Sequence, residues 1–168
     1  MTEQIITRAY IGLGGNLDDP ATRIQRAFVA LNTLRHTQLV LKSSLYRTAP
    51  VGYLDQPDFI NAVAAVDTSL EPIALLDALL HLELDEGRAR SFKNAPRTLD
   101  LDVLMYGDLQ LIHDRLIVPH PRMGGRAFVL FPLQEIAPDL LIPGMGYVKQ
   151  LAAECQDQDI ERLENNIR

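Results

Sequence analysis

Two aspartates one residue apart, in Leu99-Asp100-Leu101-Asp102-Val103-Leu104-Met105, are the residues whose type and spacing point most directly to chemistry. The alternation around them reads as a strand, so both carboxylates share one face, and Leu99, Leu101, Val103 and Met105 share the other. Their Cα atoms would stand about 7 Å apart. Strands disfavour aspartate, and like charges on one face repel. A hard divalent cation is the natural counter-charge. Mg²⁺ takes only one or two carboxylates and completes its shell with water and phosphate oxygens. An isolated Asp-x-Asp is more often a solvated strand face; here the preceding stretch changes the balance. Between Gly87 and Arg97 stand Arg88, Arg90, Lys93 and Arg97 with no acid among them. Arginine grips phosphate oxygens two at a time, so cation and arginines together make a polyphosphate clamp. Glu83 continues the apolar stripe of Leu76 and Leu80 on the helix before that loop. As a carboxylate on a buried face it is either a local defect near a helix end or a site residue, and the pattern leaves both open.

A second group lies in Gln56-Pro57-Asp58-Phe59-Ile60-Asn61. Phe59 and Asn61, two residues apart on a strand, present a ring and an amide on one side. That pair suits a flat heterocycle, stacked on the ring and hydrogen-bonded at its edge. His120 sits between Pro119 and Pro121, with Arg122 and Arg126 close by. A lone histidine is usually structural or exposed, but the two arginines make phosphate contact an alternative. Gly12-Leu13-Gly14-Gly15-Asn16 lacks the third glycine of a dinucleotide fingerprint, because position 17 is Leu, and no Walker-type lysine loop exists.

These residues need elements to hold them. Arg8 to Leu13 reads as a first strand and Gly14-Gly15-Asn16 as a turn. A helix follows, capped by Asp18 or Asp19 with Pro20 at its start and Ile24, Ala27, Phe28 and Leu31 on one side. Thr37 to Tyr46 is a second strand, Thr48 to Pro57 a loop and Phe59 to Val66 a third strand. A second helix runs from Ser69 to near Gly87, and Leu99 to Tyr106 is the fourth strand. Strand, helix, strand, strand, helix, strand is the order of ferredoxin-like folds. The fold class expected is therefore α+β: a ferredoxin-like βαββαβ core with an antiparallel sheet, elaborated into α-β-α layers as one domain over residues 1–168. A hairpin-like excursion from Leu109 to Val118, a helix over Phe128 to Ile136 and a short helix from Val148 complete it. The polar tail after Gln156 is expected to fray.

Composition limits the function classes. The 168 residues are 47% apolar and 23% charged, carry a net charge of −6 and have a pI near 5.1. Such a balance fits a soluble domain and argues against a nucleic-acid partner, which needs a basic surface. No apolar run is long enough to span a membrane. Met1 to Arg8 lacks the pattern of a secretory signal, and Cys155 is the single cysteine and so can form no internal disulfide. A cytoplasmic monomer acting on small molecules is expected.

Pro96-Arg97-Thr98-Leu99-Asp100-Leu101-Asp102, with Tyr46-Arg47-Thr48, Asp55-Gln56-Pro57-Asp58-Phe59-Ile60-Asn61, Val118-Pro119-His120 and Pro132-Leu133-x-Glu135-Ile136-Ala137-Pro138, resembles the 6-hydroxymethyl-7,8-dihydropterin pyrophosphokinase family from Tyr10 to about Leu140. The resemblance implies transfer of the diphosphate of ATP to the pterin hydroxymethyl group, a step of folate synthesis. It implies that Asp100 and Asp102 hold two Mg²⁺ ions, and that Arg88, Arg97 and Arg90 belong to a loop closing over the phosphates. Phe59 and Phe128 would sandwich the pterin, with Thr48 and Asn61 bonding its edges. Glu83, His120, Arg115 and Arg126 would line the ATP site, and Val103 and Ile117 would pack near the adenine. Two departures stand out. Lys93-Asn94-Ala95 replaces the family's usual Arg-Trp-Gly in a loop one residue shorter, with Phe92 the aromatic left to substitute, and no tryptophan occurs anywhere. Pro121 replaces a common tyrosine, leaving Arg122 to supply that phosphate contact or the contact to be lost. The competing readings are a nucleotidyltransferase or cyclase on a ferredoxin-like sheet, and a non-catalytic ligand-binding module.

Overall fold

The computed structural model describes residues 4–50, 54–86 and 98–163. In chain order these form β1 (Thr7–Gly15), α1 (Pro20–Thr33), β2 (Thr37–Lys42), β3 (Tyr46–Thr48), β4 (Phe59–Thr68), α2 (Pro72–Asp85) and β5 (Asp100–Tyr106). There follow the hairpin β6 (Leu111–Ile112) and β7 (Ile117–Val118), α3 (Ala127–Ile136), the small hairpin β8 (Leu141–Ile142) and β9 (Gly146–Tyr147), α4 (Val148–Ala153) and β10 (Ile160–Arg162).

The main sheet runs β10-β3-β4-β1-β5, with β2 also paired to β4, and its pairings are antiparallel. β1 and β4 hold its centre in an unbroken register from Thr7 opposite Thr68 to Gly15 opposite Ile60. β4 reads apolar on both sides (Ile60, Ala62, Val63, Ala64, Ala65, Val66) because both faces of the sheet are covered. On one face lie α1 and α2, where Ile24, Phe28, Leu75 and Leu79 pack against Ile11, Leu13, Leu101 and Val103. On the other lie α3 and α4, where Leu130, Leu133 and Val148 pack against Tyr10, Val63 and Leu104. α1 begins as its sequence demands: Asp19 accepts the Thr22 N–H, and Pro20 occupies the first turn.

Three expectations are corrected. The segment from Thr37 to Tyr46 is not one strand but two, broken at 43–45. There Ser43 donates its N–H to the Val63 carbonyl at 2.9 Å and accepts the Val63 N–H on Oγ at 2.9 Å, so a hydroxyl stands in for the ladder. Gly14 and Gly15 belong to β1 rather than to a turn, because β4 gives both of them ladder partners and β5 flanks Gly14 as well. The tail does not simply fray after Gln156: Ile160, Glu161 and Arg162 add β10 to the outer edge of β3.

Candidate active site

The sheet register assembles the site. Asp102 lies opposite Gly12 and Asp100 opposite Gly14 on β1; Gly14 in turn lies opposite Asn61 on β4, and Asn61 opposite Tyr46 on β3. Directly opposed residues point to the same side of a sheet. Asp100, Gly14, Asn61 and Tyr46 therefore form one row on the face that α3 covers, and Asp102 and Gly12 share that face. The glycines leave bare backbone between the acids and the amide, a floor about 10 Å wide from Asp100 to Asn61 at two strand spacings.

The far side of this floor carries Thr48, Phe59 and Asn61, the residues expected to take a flat ring. Asn61 donates from Nδ2 to Thr48 Oγ1 at 3.0 Å, and Thr48 is paired with Phe59. Phe128 comes from the first turn of α3, and the Arg126 guanidinium sits 5.3 Å from its ring centroid, a cation–π distance. A phosphate-type cation and an aromatic wall thus meet at one helix start. Asn16, 2% exposed, donates from Nδ2 to Gln56 Oε1 at 2.8 Å and to the Pro57 carbonyl at 2.9 Å. That clasp fixes the chain just before Phe59 against the end of β1.

The acid side is framed by His120 and Glu83. The His120 N–H donates to the Leu104 carbonyl at 2.8 Å, and its Nδ1 accepts the Arg122 N–H at 3.2 Å. Burial holds its pKa below the usual value, Arg126 and Arg122 push it the same way, and Asp100 opposes them. The ring is neutral near pH 7, and with Nδ1 accepting, its proton lies on Nε2 as a donor. A histidine with a depressed folded-state pKa supports the fold fully above its unfolded value of about 6.5 and loses that support as pH falls. Melting temperatures should therefore drop more steeply between pH 6.5 and 5 for the wild type than for His120→Gln; parallel curves would refute this.

Glu83 resolves as an edge cap. Its Oε2 accepts the N–H of Leu101, the residue between the two aspartates, at 2.6 Å, and the side chain is 2% exposed. β5 is the last strand on this side, so that N–H has no ladder partner. Beyond the edge, the β6–β7 hairpin is tied to α2 by an Arg115–Asp77 ion pair, and Ile117 stands exposed opposite Ile112. No cluster of three or more histidine, cysteine, aspartate or glutamate side chains suited to a metal occurs among the described residues. The carboxylates that could contribute to a cation shell here are Asp100 and Asp102. Two oxygen donors on one face fit Mg²⁺, whose remaining positions go to water and phosphate.

The family model described as 7,8-dihydro-6-hydroxymethylpterin-pyrophosphokinase (HPPK) matches residues 10–138 of this chain. The chain belongs to this family. It is 49% identical over 159 residues to the 2-amino-4-hydroxy-6-hydroxymethyldihydropteridine pyrophosphokinase of Pseudomonas aeruginosa, covering 95% of this chain and 98% of that one. The protein of the same description from Haemophilus influenzae is 43% identical, with 92% and 97% covered. Among solved structures, Plasmodium falciparum HPPK-DHPS with pteroate superposes with a TM-score of 0.72 at 14% identity. The match covers 92% of this chain but only 43% of that longer one, and at this identity it speaks for the fold alone.

Of the residues marked in the sequence, the HPPK fold brings Asp100, Asp102, Thr48, Phe59 and Asn61 onto one sheet face, with Phe128 and Arg126 on the helix that covers it. Glu83, Arg115 and Ile117 instead collect around the outer edge of β5. Val103 is 2% exposed, with its side chain packed into the α1/α2 core. Arg88, Arg90, Lys93, Arg97 and the replacement aromatic Phe92 lie outside the described residues. Asn16, which clasps Gln56 and the Pro57 carbonyl, is not among the residues marked in the sequence. Asn16 directly follows two glycines, and a buried amide there was the available signal.

Proposed function

We propose that the chain transfers the diphosphate of ATP to the hydroxymethyl group of 6-hydroxymethyl-7,8-dihydropterin, a step of folate biosynthesis. The hydroxymethyl oxygen attacks the β-phosphorus and forms the new O–P bond. The bond from the β-phosphorus to the oxygen bridging it to the α-phosphorus breaks, AMP leaves with that oxygen, and the hydroxyl proton is lost. The observation that carries this reading is the single row Asp100–Gly14–Asn61 across three strands. It supports a phosphate-and-cation end at Asp100 and a heterocycle end at Asn61, about 10 Å apart on one sheet face.

Each residue has a share in the chemistry. Asp100 and Asp102 would hold two Mg²⁺ ions, which when bound neutralise the triphosphate and acidify the attacking hydroxyl. Asp102 would accept the proton. Thr48 and Asn61 read the pterin edge, with Phe59 and Phe128 on its faces. Arg126 and neutral His120 donate to phosphate oxygens, and the guanidinium groups of Arg88, Arg90 and Arg97 are further phosphate partners. Arg115 and Ile117, with the backbone edge of β5 near Val103, receive the nucleoside. Phosphoryl-type transfer asks mainly for placement and charge neutralisation, which this set supplies.

With β2 and β3 counted as one interrupted strand, the order β3-β4-β1-β5 and the βαββαβ sequence support a ferredoxin-like core within one domain. Incubation with ATP, Mg²⁺ and the pterin, with AMP quantified, tests the reading. Stoichiometric, pterin-dependent AMP is expected. Release of diphosphate without AMP would replace it with nucleotidyl transfer, and no turnover would leave a binding module.

A further inference from the structure

We propose that Glu135 is a positioning residue for the pterin pocket: it locks α3, which carries Phe128, to the β2–β3 junction, which leads into Thr48, and so sets the gap in which the heterocycle lies. The proposal rests on the pterin reading above and adds a residue that touches neither substrate.

Glu135 stands seven residues after Phe128 on α3, two helical turns along and on the same side. Its carboxylate gathers donors from the sheet. Oε1 accepts the Tyr46 hydroxyl at 2.8 Å and the Ser44 N–H at 3.0 Å, while Oε2 accepts the Ser44 hydroxyl at 2.9 Å. Arg162 of β10 adds an N–H to Oε2 at 3.2 Å. Tyr46 is the neighbour of Asn61 in the cross-sheet row and precedes Thr48 by two residues on the same face. Burial, then the Glu135 hydrogen bond, holds the Tyr46 phenol far above its usual pKa, so it remains a donor throughout the working range. The bonds fall where β2 has left its ladder and β3 is only three residues long; among the described residues, backbone pairing at 43–45 comes down to the Ser43 N–H on the Val63 carbonyl and the Leu163 N–H on the Leu45 carbonyl, and Ser44 relies on Glu135.

Packing does not supply all of what the staple supplies. Leu130 and Leu133 hold α3 down on the sheet, while an open pocket of about 380 Å³, lined by Tyr46, Phe131, Glu135, Ile160 and Arg162 among others, lies between α3 and the β3–β10 edge. The directional bonds to Glu135 add what apolar packing leaves loose, the rotation of the helix over the β2–β3 junction. Freed of them, α3 would turn or lift, and Phe128 would move relative to Thr48 and Asn61.

Steady-state kinetics of wild type, Glu135→Ala and Glu135→Gln test this, with KM measured separately for pterin and ATP. For Glu135→Ala the pterin KM should rise by about tenfold or more while the ATP KM stays within about twofold. Glu135→Gln should recover most of that loss, since its amide oxygen still accepts from Ser44 and Tyr46. Lower thermal stability with an unchanged pterin KM would mean a merely structural role and overturn the proposal, as would a parallel rise of both KM values. If Glu135→Ala does not fold, Ser44→Ala with Tyr46→Phe removes the two side-chain hydroxyl donors and must give the same split. Wild-type protein without pterin-dependent AMP release means the activity reading itself has failed. An active wild type whose variants keep the pterin KM means that only the staple has failed.

Discussion

Asp100→Asn and Asp102→Asn should each lower kcat by about 10³-fold at saturating substrates and Mg²⁺, on the scale of removing one preorganised electrostatic partner of a transition state. Asparagine keeps the shape and the strand and removes only the charge. The effect therefore isolates electrostatics from packing. Among the described residues β5 lies at the sheet's edge, and β1 shows only glycine opposite both aspartates, so both carboxylates have room for a cation. On the proposed reading a cation sits over the pair during turnover. The variants act on one unit, so the double substitution should cost little more than the worse single one. Pterin affinity should be untouched, since Asn61 lies about 10 Å away across Gly14 and effects at that distance are close to independent. Single-turnover AMP formation read by rapid quench is the deciding measurement. If either variant kept a rate within tenfold of wild type at saturating Mg²⁺, the aspartate pair would not be the metal platform.

The aspartate pair and the Phe59/Asn61 pair were legible because both are two-residue patterns on strands, and a strand's period of two fixes a shared face without knowledge of the rest of the chain. The same alternation puts the Val103 side chain on the face away from the aspartates, where it packs into the α1/α2 core. What the sequence did not reveal depends on which strand lies beside which. Glu83 read equally as a defect or a site residue because its partner is a backbone N–H, unsatisfied only once β5 is known to be an edge. Glu135 bonds residues 89 and 91 positions away, and no local period links it to Ser44 and Tyr46. β10 is three residues with an acid and a base among them, held by main-chain pairing that side-chain patterns do not report. The break between β2 and β3 is invisible for the opposite reason: the alternation continues through it while Ser43 takes over the hydrogen bonds.

Gly14→Ala should raise the pterin KM by about tenfold or more with the ATP KM nearly unchanged, in a protein that still folds. A Cβ added at Gly14 would stand 2.8 Å from Asn61 Oδ1, closer than such atoms approach. The contact is the end of a side chain rather than backbone, so the cheaper response is rotation of the Asn61 amide, not parting of β1 from β4. Rotation costs the bond from Asn61 Nδ2 to Thr48 and turns the amide away from the edge it is held to read. Stability should fall by only about 1 kcal/mol, the scale of one hydrogen bond. Gly12 supplies the matched control. An added Cβ there meets Leu104 side-chain atoms at 3.4 Å, a distance a flexible leucine absorbs. Gly12→Ala should leave the pterin KM within about threefold, although it stands directly opposite Asp102. The two substitutions add the same methyl group two residues apart on one face of one strand. A difference between them can come only from what each neighbour does, so equal pterin KM values in the two variants would sink the idea that Asn61 is held in place by the empty space at Gly14.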